Sequence, residues 1–333
     1  MIFFMKKSLK INLSLSLISL CSIFPLVACQ TTKAKSLSSL KLNKDSLYTK
    51  HNLSENVHIK KIIDFKFKND ETLIKNFINN QNNIVDSKIN ELASALTWYP
   101  PFRGDSAIDN GSLYAEFSRK SKNVLIETIK NDWLWFLNNL KNMEFVLNSY
   151  GEFYKDIDNK NKEELEAVSQ YFPNITIKFN ETKIIDAFEY KLPNVNYNAQ
   201  FKDLSVIFII LDANKVIKFY KYLDQEDQPN IFLQTDVFFL PKISTIDGLK
   251  TTLISFENKI CEMWNQYLVD EINYWKNVDP TYDYNQVYTT FNDAKYVLPF
   301  SGLNRELNYE AIQALKEEEK EIYRFTWRFV DVK

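Results

Sequence analysis

Histidine is almost missing from this sequence, and glycine, arginine and cysteine are few. Of 333 residues, 2 are His, 5 Gly, 5 Arg and 3 Cys. His51 and His58 lie in or beside a polar stretch near the start, where they read as exposed linker residues, so the body of the chain has no imidazole for general acid–base work. Five glycines leave little material for a phosphate-cradling loop, and neither GxGxxG nor a Walker loop occurs; HExxH and paired CxxC are absent too. No cofactor, metal site or catalytic constellation is therefore expected. With so few glycines, each is expected to mark a backbone position that requires one. The arginines are scattered and the formal charge is −2, which argues against nucleic acid as a partner, since a duplex-binding surface needs clustered positive charge. Cys21 and Cys29 fall within the first 29 residues, and Cys261 stands alone in a helical pattern. Without a second thiol in the body, no disulfide can brace it, and stability must come from the core.

What is present begins with the leader. Met1–Lys10 is basic, Ile11–Ala28 carries no charge, and Leu26, Val27, Ala28 and Cys29 close the segment, the pattern of an export signal; Met5 offers a second plausible start. The ending "LVAC" resembles the lipobox of bacterial lipoproteins, which implies that Cys29 carries a diacylglyceryl thioether and that residues 1–28 are removed. An uncleaved membrane helix is the competing reading, opposed by Pro25 and by the lipobox itself. Two acyl chains, at about 0.8 kcal/mol per buried methylene, hold a protein on a bilayer almost permanently. Cleavage would leave 305 residues and, by removing Lys6, Lys7 and Lys10, shift the formal charge to −5.

Residues 29–56 read as lipid anchor and flexible tether: Gln30–Asn56 is polar, rich in Lys and Ser, and lacks apolar periodicity. Residues 57–333 read as a single α+β domain, with long amphipathic helices flanking an antiparallel β-meander: helical over 57–172, β over 173–245, helical over 246–333. Leu73, Phe77, Ile84, Ile89, Leu92 and Leu96 fit one or two helices before Pro100. Leu125, Ile129, Trp133, Phe136, Leu140, Met143 and Leu147 line one face of what reads as a continuous helix, with Trp135 off the stripe. Alternation at 175–179, 188–192 and 231–239, together with the run "SVIFIIL", predicts four to six strands, whose short connections force antiparallel pairing. A helix opening at Gly248 carries two apolar stripes and should be sandwiched. Tyr309–Val330 reads as a last helix, with "KEEEKE" as its wet face.

The segment "TWYPPFRGDS" has two readings. In one, Pro100 and Pro101 make a stiff corner, and Trp98, Tyr99 and Phe102 pin it against Trp133 and Phe136. In the other, Arg103, Gly104 and Asp105 form a recognition tripeptide like that by which matrix proteins engage integrins; a charged turn is the plainer account. A partial echo, "KYVLPFSG" at 295–302, fits either duplication or coincidence. The 43 acidic residues allow any carboxylate pair to be chosen, so they single out no hydrolase.

Taken together, "LVAC", the tether, the Asn/Lys/Ile/Phe-rich body without disulfides, and "WYPPF" followed by "NDWLWFLNNL" resemble the surface lipoproteins of mycoplasma-type bacteria, in particular the aromatic-motif membrane proteins. The resemblance implies a lipid-anchored protein on the extracellular face of the cell membrane, an address and not an activity; with no catalytic motif in the chain, the function expected is that of a non-enzymatic protein binding a host or bacterial macromolecule. The alternatives are an accessory or ligand-capture subunit of an importer or surface complex, and a surface hydrolase using paired carboxylates.

Overall fold

The computed structural model describes residues 53–82, 86–98, 113–147, 166–172, 176–193, 202–211, 214–281, 297, 299–300 and 302–328. Its centre is an eight-stranded sheet: β1 Glu144–Leu147, β2 Thr176–Lys178, β3 Asp186–Lys191, β4 Lys202–Ile210, β5 Lys215–Leu223, β6 Pro229–Leu233, β7 Val237–Phe239 and β8 Tyr323–Arg328. Every pairing is antiparallel, in the order β2-β1-β8-β7-β5-β4-β3. Because β4 occupies one edge of β5, β6 and β7 share the other: β7 pairs at Lys215 and Val216, and β6 pairs from Phe219 to Leu223. The α+β class with an antiparallel sheet thus stands, but the sheet is more than a meander, since β8 inserts between β1 and β7.

Helices cover both faces. α1 (Val57–Lys66), α2 (Glu71–Asn82), α3 (Asp86–Trp98) and α4 (Leu113–Asn138) precede the sheet, while α5 (Ile246–Val278) and α6 (Gly302–Glu317) follow β7. The pleat sorts each strand between two apolar clusters. Ile207, Ile209, Ile217, Phe219 and Phe325 pack with α1, α3 and α4. Val206, Phe208, Ile210, Val216 and Tyr220 pack with α5 and α6. The unbroken apolar run of β4 follows from this, because a strand covered on both faces has no wet side to alternate with.

Several expectations are corrected. Order begins before residue 57: Leu53–Glu55 form a 3-10 turn, Leu53 and Ser54 are buried, and the Asn56 side chain caps α1 by accepting from the backbone N–H of His58 and Ile59. His58 is accordingly a residue of α1, its Nε2 4.0 Å from Asp186 of β3, and not an exposed linker residue. The Leu125–Leu147 stripe is not one helix. Asn139, buried after α4, ends it by donating its side-chain amide to the Trp135 carbonyl at 2.8 Å; Leu140 then sits in a 3-10 turn, and Leu147 in β1. Leu73 is 50% exposed and belongs to no core stripe.

The second long helix starts at Ile246 with Thr245 as its cap. A Cβ on Gly248 would stand 2.9 Å from Thr245 Oγ1 and 3.0 Å from Ile243 Cγ2, so this glycine answers to close approach. One buried stripe, Leu249, Leu253, Phe256, Ile260, Trp264, Leu268 and Ile272, runs the length of α5, whereas Met263 and Tyr267 are only partly covered, so α5 is not buried on two full faces.

At the far end, Tyr309–Val330 is not a helix. α6 stops at Glu317, Glu319 turns left-handed (φ 60°), the Lys320 N–H donates to the Leu315 carbonyl at 2.9 Å, and β8 follows.

Candidate functional site

α4 is not straight. At Asp132 the backbone leaves the helical region (φ −118°, ψ 27°), and the side chain that fills the break comes from α2. Gln81, almost fully buried, accepts from the Trp135 N–H at 2.9 Å and donates from Nε2 to the Asn131 carbonyl at 3.1 Å. In an unbroken helix those two backbone groups would bond each other; an inserted side chain that satisfies both is a physical cause of a kink. Gln81 Nε2 also lies 3.4 Å from Asp132 Oδ1.

The kink opens a cavity of about 350 Å³ between α1, α2 and α4. Its apolar wall is Phe67, Phe77 and Leu73, with Trp133 beneath. Phe67 and Phe77 are half-buried, and their ring centroids are 5.0 Å apart. Phe77 stacks on Trp133 at 5.4 Å, and Trp133 meets Phe219 of β5 edge-on at 5.4 Å, so an aromatic chain ties the cavity wall to the sheet. The polar wall offers the amides of Asn76, Asn80 and Asn131, the Asp132 carboxylate, and the Lys66 and Lys130 ammonium groups.

Burial pushes the Asp132 carboxyl above the usual carboxylate range, against the pull of Lys88 and of the hydrogen bond from Gln81. It pushes Lys66 below the usual lysine value, assisted by repulsion from Lys130 and opposed by Asp224. Lys66 donates to the Pro229 carbonyl at 3.0 Å; among the described residues neither Lys66 nor Lys130 has a salt-bridge partner.

A second polar cluster lies on the opposite face of the sheet and is closed. Lys218, on the interior side of β5, donates to Glu257 of α5, to Tyr220 Oη at 3.1 Å and to Asn308 Oδ1 of α6 at 3.1 Å, and Tyr220 Oη donates to Glu257 Oε2 at 3.0 Å. Burial lowers the Lys218 pKa and Arg324 adds to this, while Glu257 and Asp236 pull it back up. Where β6 and β7 part, Asp236 accepts from Arg324 Nε at 2.6 Å and from Thr326 Oγ1 at 3.1 Å. Both buried carboxylates thus have a buried cation beside them, and this cluster holds α5 and α6 to the sheet. Nearby, burial pushes the Cys261 thiol up to about 12, so it is an inert, core-packed thiol. Among the described residues no group of three or more His, Cys, Asp or Glu could hold a metal ion.

Of the residues singled out from sequence, Leu26, Val27, Ala28 and Cys29 lie outside the described residues, as do Tyr99, Pro100, Pro101, Phe102, Arg103, Gly104 and Asp105. Trp98 ends the backbone of α3. The expected packing of the proline corner on Trp133 and Phe136 therefore falls outside what is described. Phe77 and Phe219 stand against Trp133, and Phe145 and Trp327 against Phe136. Trp135, placed off the stripe, is 6% exposed and packs in the same core. Sequence reasoning missed the site on α1 and α2 and also Asp132, past which the apolar spacing runs on unbroken from Ile129 to Trp133 although the backbone does not.

Residues 35–277 match the family described as aromatic cluster surface protein. The chain belongs to this family. No curated protein and no solved structure matches it. The aromatic cluster family assigns the protein to the cell surface, and the matched span takes in α1 to α4, strands β1 to β7 and the whole cavity. Among the described residues no helix is long and apolar enough to cross a membrane.

Proposed function

We propose that this surface protein is a lipoprotein of the mycoplasma type, moored by acyl chains on Cys29 to the outer face of the cell membrane, and that it works by binding a host or bacterial macromolecule without catalysis. The observation that carries the binding role is the cavity at the α4 kink, where two ammonium groups without salt-bridge partners among the described residues and three side-chain amides meet an aromatic wall. Fixed polar groups over an apolar surface are the usual make-up of a ligand site. Binding is favoured over hydrolysis because Asp132 is the one carboxylate among the described residues lining the cavity, where paired-carboxylate hydrolysis needs two, and the buried Asp236 and Glu257 are each engaged by a cation in a closed core. A capture subunit serving an importer is the second reading, supported by a volume that suits one small ligand.

The test is capture on liposomes carrying the full mature chain, with Asn80→Trp as the blocking variant, since Asn80 is exposed and lines the cavity. Extracellular macromolecules should be retained by the wild type and lost by the variant; equal retention overturns the cavity as the grip. The anchor is tested by the mass of the mature N-terminal peptide. A diacylglyceryl thioether on Cys29 supports it, whereas a free thiol in a chain that keeps residues 1–28 refutes it.

A further inference from the structure

The two cavity lysines lie close enough for Lys130 to weaken the hold of Lys66 on its proton, yet neither has a carboxylate in salt-bridge range among the described residues. Lys66 is half-buried and Lys130 exposed, Asp224 offsets their repulsion only in part, and an anionic group placed between the two would relieve the rest and gain charge-assisted hydrogen bonds. An anion alone would leave the rest of the lining unused. Asn76 and Asn80 are exposed on α2, and their amides can each donate and accept. Asp132 supplies an acceptor for hydroxyl groups, and the half-buried rings of Phe67 and Phe77 offer an apolar wall for C–H faces.

From this juxtaposition we infer that the cavity binds a single saccharide residue bearing a carboxylate, with the acid group between Lys66 and Lys130, the ring against Phe67 and Phe77, and hydroxyls on Asn76, Asn80 and Asp132. The inference rests on the cavity being the binding site of the surface protein, and names what enters it. A free amino acid would also pair a carboxylate with the lysines, but its ammonium would need a fully ionised partner, and burial makes the Asp132 carboxyl a reluctant one. It would also leave the amides of α2 without hydroxyls to bind. The cavity volume of about 350 Å³ has room for one ring and a few waters, so a longer glycan would present only a terminal or side residue.

The experiment is titration of the full chain with D-glucuronate, D-glucose, acetate and L-phenylalanine, followed by Trp fluorescence and by calorimetry. Lys130→Ala and Asn80→Ala are compared with the wild type, and thermal unfolding establishes that both variants are folded. Glucuronate should bind about tenfold or more tighter than glucose, acetate and phenylalanine, and Lys130→Ala should bring glucuronate down to the level of glucose. Asn80→Ala should weaken both sugars together. Equal affinity for glucuronate and glucose overturns the inference, as do tighter binding of acetate or phenylalanine and glucuronate binding that ignores Lys130→Ala.

The liposome capture assay separates this from the wider reading. Capture that Asn80→Trp abolishes, in a protein that ignores glucuronate, sinks the saccharide class and leaves the cavity as the grip. Glucuronate binding with capture indifferent to Asn80→Trp keeps the saccharide class and sinks the macromolecular role.

Discussion

The two faces of the sheet solve the same packing problem with different chemistry. Toward α1–α4 the filling is aromatic and aliphatic: Trp133, Phe136, Phe145, Phe219 and Trp327 are fully buried, and ring meets ring edge-on. Toward α5 and α6 an apolar ring surrounds a charged centre, with Lys218 4.9 Å from the Phe256 ring centroid and 5.3 Å from that of Phe238. The difference follows from the strands. On the first face β5 presents Ile217 and Phe219 to the core; on the second it presents Lys218 between Val216 and Tyr220, the parting of β6 and β7 brings Gln234 and Asp236 inward, and the Gln234 N–H reaches across to the Lys218 carbonyl. Buried backbone groups left by an interrupted ladder require partners, and side chains recruited to such a place require partners in turn. An apolar layer tolerates a bent helix and an open cavity at its rim, whereas an ionic one must be closed to be affordable.

The largest expected effect breaks the charged face. Lys218→Met leaves Glu257 buried without its cation and should cost about 3–5 kcal/mol, whereas adding Glu257→Met should recover most of that, both read from denaturant midpoints. Phe219→Ala tests the opposite face. Deleting this ring from an all-apolar layer should also cost roughly 3–5 kcal/mol, but no second truncation should rescue it, because the loss is a cavity and not an orphaned charge. Gln81→Ala comes next. Removing the amide that serves Trp135 N–H and Asn131 C=O should cost about 1–3 kcal/mol, and hydrogen exchange at Trp135 should speed up.

The smallest effect is at the clamp between β3 and its neighbours. The hydrogen bond from Lys250, with help from the Ala187 N–H and His58, holds the Asp186 carboxyl below its ordinary value of 3.8. A lowered carboxylate pKa contributes stability that is present above the unfolded value and disappears as pH falls through the folded one. Asp186→Asn should therefore be less stable than the wild type near neutral pH and equal to it once the acid is protonated. A constant offset at every pH contradicts this.

Much of the architecture can be traced to local pattern, and the misreadings have a common source. α5, β3, β5 and residues 204–210 of β4 follow the pattern of their apolar residues, because each of these stretches stays in one conformation. The Leu125–Leu147 stripe misleads because burial persists while the backbone changes: Leu140 and Met143 stay in the core after Asn139 has ended the helix. The segment after α6 misleads through glycine poverty. Left-handed positions that glycine usually marks are filled by Lys68, Asn69, Asp203, Asp227, Phe300 and Glu319, so the stop at Glu319 leaves no trace in composition. Beyond it, Tyr323, Phe325 and Trp327 alternate with Arg324 and Thr326, a strand period that the preceding charged run disguises as the end of a helix. The cavity was illegible for a different reason. It depends on Gln81 meeting Asp132 across 51 positions, and an isolated glutamine in a polar helix carries no sign of where it will be inserted.

Strand β8 seals a gap between partners that lie far upstream: it pairs with Phe145 through Trp327 and with Val237 through Phe325. A polypeptide delivered N-terminus first cannot join β1 to β7 until Tyr323–Arg328 has arrived, and such distant pairings form slowly. Strands β3 to β7 can pair among themselves before that, as can β1 with β2, but the two groups join into one sheet only through β8, so that a product cut short before Tyr323 lacks its central seam.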